Sequence, residues 1–143
     1  MRKIILLMAG LISTPLAWAD ADADIAYRQA VMEVVGGHMK SMGTILKGNV
    51  HMANLGFHAD SMQDVSRLVP ELFPAGSGEG KTEALAAIWD EPEDFKAALD
   101  RYVKAAADMA DAADSQDMAQ IGPAIQALGK SCKGCHDDYR EQD

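Results

Sequence analysis

Aromatic residues make up only 6% of this 143-residue chain, a thin supply for a core of this size. No stretch alternates apolar and polar side chains as a half-buried strand would, so nothing supports a sheet architecture. Basic residues are scarce too: 13 Lys+Arg stand against 22 Asp+Glu. That balance makes nucleic acid and anionic membrane poor partners. A basic protein partner fits it better, and so does a plain solvated acidic surface. Cysteine occurs twice, and no second C-x-x-C or H-x-x-x-H pair exists to complete a four-ligand zinc site. No nucleophile, general base or substrate pocket is recognisable, so no enzymatic activity is expected.

The first nineteen residues read as an export signal. Arg2 and Lys3 precede a largely apolar run from Ile4 to Ile12, and Ala17-Trp18-Ala19 supplies a small-x-small cleavage site before Asp20. The apolar run is too short to span a bilayer. Residues 1–19 are therefore expected to be a cleaved signal peptide. Residues 20–143 are then one periplasmic domain, of a length that suits a single core. Losing Arg2 and Lys3 leaves 11 Lys+Arg against the same 22 acids, a net charge of −11.

What the chain does contain is Cys132, Lys133, Gly134, Cys135 and His136. This is C-x-x-C-H, the spacing by which a c-type haem is attached. Two thiols three positions apart lie on one side of a helix, and each can form a thioether with a haem vinyl group. The next residue can place an imidazole nitrogen on the iron. A thioredoxin-like pair would call for a strand-helix setting and an exposed first cysteine. A disulfide at this spacing inside a helix has poor geometry. Export to a compartment where haem is attached favours the haem, and it leaves no cysteine for a disulfide.

The apolar residues elsewhere recur at helical spacing. From Asp22 to Lys47 the stripe is Ile25, Met32, Val35, Met39, Met42 and Leu46, with Lys47-Gly48 as the stop. Gly36-Gly37 inside this helix costs about 1 kcal/mol per residue against alanine, which a close approach by a neighbouring helix or flat ligand, or a local kink, would explain. A second helix is expected from near Asn49 to Val69, with Leu55, His58, Met62, Val65 and Val69 on one face and Pro70 ending it. Residues 71–81 are rich in proline and glycine and read as a loop, with Leu72 and Phe73 as a flap on the core. Asp90 and Glu93 form a capping-box pattern for a third helix, with Pro92 in its first turn. Its stripe is Phe95, Leu99, Tyr102 or Val103, Ala106, Met109 and Ala113. The fourth begins near Asp117 and carries Ile121, Ile125, Leu128, Cys132, Cys135 and Tyr139; Gly122-Pro123 either kinks it or marks its start. The fold expected is all-α, an antiparallel four-helix bundle in which a porphyrin supplies the missing flat apolar surface.

With haem attachment near the C-terminal end of an all-helical chain, the sequence resembles the cytochrome c′ family, the class II c-type cytochromes. Tyr27-Arg28-Gln29, Lys81-Thr82-Glu83, Ala87-Ile88-Trp89 and Cys132 to Arg140 carry the likeness. The resemblance implies one covalent haem c per chain, with Cys132 and Cys135 as thioether carriers and His136 as proximal iron ligand. It places Arg28 and Gln29 at the haem edge, with Arg28 pairing a propionate in two-point fashion. Thr82 and Glu83 match haem-contacting residues of the loop, and Arg140 a basic residue flanking the proximal imidazole. The bland alternatives are a surface charge for Arg28, a turn cap for Thr82 and a solvated Glu83.

Met32, four after Arg28, matches the residue facing the open side of the iron. Either its sulfur coordinates, giving a low-spin carrier of raised potential, or it fills space and leaves a five-coordinate iron that binds NO or CO. His38, His51 and His58 read as surface or satisfied histidines. Met39 and Met42 compete with Met32 if the haem sits lower. The leading expectation is a periplasmic monohaem electron carrier meeting other redox proteins transiently; the alternative is a gas-binding protein. A plain helical structural module is poorly compatible with C-x-x-C-H. Monomer and homodimer both remain open, with Val31, Val34 and Phe57 left over on the first two helices.

Overall fold

The structure, a computed structural model, describes residues 16–142; most of the expected leader, residues 1–15, lies outside them. Five helices follow in order: α1 (Leu16–Gly48), α2 (Leu55–Ser66), a one-turn α3 (Ala87–Asp90), α4 (Pro92–Ser115) and α5 (Met118–Tyr139). Two 3-10 turns, Met52–Asn54 and Val69–Glu71, flank α2. The described residues form no strand, only one isolated antiparallel bridge between Ala84 and Arg140. No helix among them is long and apolar enough to cross a membrane. The four long helices form the expected bundle: α1 packs on α2, α2 on α4 and α4 on α5.

The core follows from the stripes. On α4 Phe95, Leu99, Tyr102, Ala106, Met109 and Ala113 are all buried, and Tyr102 rather than Val103 takes the inward position. Burying a Leu, Phe or Met side chain contributes about 1.5–3 kcal/mol. This packing therefore outweighs the missing cap at the start of α4, where Glu91 makes no side-chain cap bond. The Asp90 cap is a misreading: Ala87–Asp90 winds a turn of its own and moves the cap position to Glu91. On α1 Val31 is buried rather than left over, while Val34 on α1 and Phe57 on α2 are exposed. Gly36 and Gly37 are exposed, with nothing within 4 Å of an added Cβ, so no close neighbour explains them.

Helix α2 is shorter than its periodicity suggests. Asn49 and His51 adopt left-handed backbone at φ 48° and 51°, which separates α1 from α2. Its buried face is Leu55, Ala59, Met62 and Ser66. At α5 the start is settled: Asp117 Oδ1 accepts from the Ala119 N–H at 2.8 Å, and Pro123 lies inside the helix. Leu72 and Phe73 do form the flap, with Phe73 edge-on to Phe95 at 4.9 Å between ring centres.

Candidate haem site

Cys132 and Cys135 lie one turn apart on α5, both half-buried, both free and packed against the core. Burial, and then the neighbouring Cys132, push the Cys135 thiol up to about 11; burial raises Cys132 as well. Tyr102 stands close to Cys132. Its hydroxyl donates to Met62 Sδ at 3.3 Å, and burial, then Cys132, hold its pKa above the usual range. His136 is exposed at the rim of an open cavity of about 380 Å³, lined also by Lys133, Asp137, Arg140, Glu141 and Gln142. Local desolvation, then the Arg140 charge, hold its imidazole below the ordinary histidine value. Two unpaired thiols on one helical side, followed by an imidazole, are the donor set that covalent haem requires.

Met32 is placed by register. Among the described residues α1 and α5 meet where Met39 Cε lies 3.4 Å from a Cβ built on Gly129. Further along, Arg28 of α1 reaches Thr82, and Arg140 just past α5 reaches the adjoining Glu83. The two helices therefore run in opposite directions. Met32 is two turns from Met39 toward the start of α1, and His136 is two turns from Gly129 toward the end of α5. Both sit at the same level of the bundle. Met32 is half-buried and packs on the core with Val35 and Met39.

Arg28 is the most heavily engaged polar side chain. Nη1 donates to the Leu72 carbonyl at 3.2 Å and Ser77 Oγ at 2.9 Å; Nη2 donates to the Ser77 carbonyl at 2.9 Å and Thr82 Oγ1 at 2.8 Å. Its guanidinium also lies over the Phe73 ring, 5.0 Å from the centroid. Burial lowers its pKa, and Asp24 opposes that. With all four Nη hydrogens directed at the loop, only Nε–H is left. The two-point propionate pairing is therefore not open to Arg28 in this arrangement.

Gln29 Nε2 donates to the Lys81 carbonyl at 2.9 Å, so it faces the same loop. Glu83 is exposed and also paired: Arg140 Nε and Nη2 both donate to its Oε2 at 2.6 Å. Leu85 N–H donates to the Tyr139 carbonyl at 3.0 Å and Glu141 N–H to the Glu83 carbonyl at 2.8 Å, closing the loop onto the end of α5. Trp89 fastens it from α3, donating to the Phe73 and Pro74 carbonyls at 3.2 Å. A Cβ on Gly78 would come within 2.6 Å of that indole. Ser77, fully buried, has no signature in a glycine-rich stretch that would have singled it out.

The family model of Cytochrome C' matches residues 23–140. The chain belongs to the cytochrome c′ family. Cytochrome c′ of Rhodospirillum rubrum is 38% identical over 140 residues, covering 96% of this chain and 95% of that protein. The structure of cytochrome c prime from Shewanella frigidimarina superposes with a TM-score of 0.81 at 39% identity, over 85% of this chain and 97% of that one. A nitric oxide complex of a variant of cytochrome c prime from Alcaligenes xylosoxidans does so with a TM-score of 0.79 at 26% identity, over 85% and 97%. The protein is thus a monohaem c-type cytochrome, and its cofactor is one covalent haem c.

Proposed function

We propose that this cytochrome c′ holds its haem through Cys132 and Cys135, takes His136 as proximal iron ligand, and offers the opposite face, beneath Met32, to nitric oxide or carbon monoxide. When bound, haem supplies an iron that accepts a diatomic ligand or exchanges one electron, as the axial ligands and pocket decide. The observation that carries the reading is the level shared by Met32 and His136, with Val35 and Met39 on the same side of α1. Thioether and alkyl side chains present no N–H or O–H to this space, so it favours a small apolar ligand over water or an anion. The nitric oxide complex of the related Alcaligenes protein supports the same choice.

A second reading rests on the identity of residue 32. Methionine sulfur is a soft neutral donor, and at this level it can occupy the position itself. The protein would then be a low-spin electron carrier serving other redox proteins transiently. Under either reading its place is the periplasm, which rests on the leader at residues 1–19.

One absorption spectrum separates them. A protein that is high-spin when ferric and, once reduced, takes up carbon monoxide readily supports gas binding, and Met32→Ala then leaves the spin state unchanged while opening the approach. A low-spin protein with a sulfur-to-iron charge-transfer band and slow carbon monoxide uptake overturns it in favour of the carrier. In that case Met32→Ala turns high-spin and gas-reactive.

A further inference from the structure

On the outer seam between α1 and α2, away from the line of Met32 and Met39, two histidines meet. His38 Nδ1 and His58 Nδ1 stand 3.1 Å apart, with ring centres 5.3 Å apart and planes at 61°. Both rings are half-buried. Phe57, itself exposed, lies edge-on to His58 at 5.3 Å and tilted against His38 at 6.4 Å, so it covers one flank of the pair. Nothing in the haem chemistry uses these residues.

We infer that His38 and His58 chelate one divalent late transition metal ion, Zn2+ or Cu2+, through their facing Nδ1 atoms. With metal–nitrogen bonds of about 2.05 Å, two donors 3.1 Å apart subtend an angle of about 98° at the metal. That lies between the right angle of square-planar and octahedral sites and the tetrahedral angle. Imidazole nitrogen suits this class of cation.

The protons balance as well. In the metal-free pair one Nδ1 carries a hydrogen and the other accepts it, since two bare lone pairs at this distance repel. On binding, that proton moves to Nε2 of its own ring, both Nδ1 lone pairs turn to the metal, and neither imidazole changes charge. No group of three or more His, Cys, Asp or Glu among the described residues forms a metal cage. Water therefore completes the shell, and the ion exchanges with solution.

The test uses the haem-loaded protein titrated calorimetrically with Zn2+, which is redox-silent and leaves the haem spectrum clear. Wild type is expected to bind one Zn2+ per chain and to melt at a higher temperature in its presence. Loss of a direct ligand costs at least as much as the 10–100-fold loss of a mere supporting partner, so His38→Gln and His58→Gln should each weaken binding by about 100-fold or more. His51→Gln, on the exposed turn, should leave it unchanged. Absent saturable binding, affinity retained in both variants, or equal loss in His51→Gln each overturns the site and reduces the pair to a hydrogen bond. Zinc-edge X-ray absorption on wild type needs no variant: two imidazole nitrogens at about 2.0 Å support the chelate, and one or none refutes it.

Discussion

Arg28 shows how much one side chain can organise. Its four hydrogen bonds tie α1 to carbonyls and hydroxyls 44 to 54 positions away, and no buried side-chain polar atom among the described residues goes unpaired. Each buried acceptor stranded by its loss costs about 1–3 kcal/mol. Some relax toward water, so Arg28→Ala should lower unfolding free energy by about 3 kcal/mol in urea titrations of the haem-loaded protein. Arg28→Lys should fall between, because an ammonium cannot fork toward four acceptors. A loss under about 1 kcal/mol, within the range of an ordinary surface change, would show that the loop is held some other way. The family resemblance singles out Arg28 in Tyr27-Arg28-Gln29, but not its partners. Ser77 sits in a stretch with no period, where only the folded loop reveals what it touches.

At the scale of elements, the helices were legible because apolar spacing alone reports a buried face. The apolar period of α4 reports its buried stripe apart from the choice between Tyr102 and Val103, and the start of α5 near Asp117 is legible apart from the ambiguity at Gly122-Pro123. What escaped was backbone that depends on neighbours. The left-handed Asn49 and His51 cut short what reads as one long second helix, and the turn at Ala87–Asp90 displaced the cap.

Two outcomes belong here. Asp117→Ala removes the cap at the start of α5 and should cost about 1 kcal/mol, measured by chemical denaturation. Gly36→Ala and Gly37→Ala place a methyl group in open space on an exposed helical face. Each should raise stability by about 1 kcal/mol; a fall would mean that something else, such as a second molecule, approaches there.

For the molecule as a whole, charge and closure matter most. The expected mature chain carries a net −11, a field that speeds encounter with a positively charged protein and is screened beyond about 8 Å at physiological salt. Electron exchange with a basic redox protein should therefore slow as ionic strength rises, in stopped-flow traces at two salt concentrations. A flat response would remove any steering role from the acidic surface. Net charge was visible from composition alone; the way the bundle is shut was not.

That shutting lies in the stretch between Leu72 and Leu85, latched to α1 by Arg28 and to the end of α5 by Arg140 and Tyr139. Arg140 and Tyr139 lie within five residues of Cys135, so the loop closes on the very segment that carries the thiols, and in the folded chain both thiols are half-covered. Installing the pigment is thus work for an unlatched polypeptide, and the finished bundle seals in what was put there first.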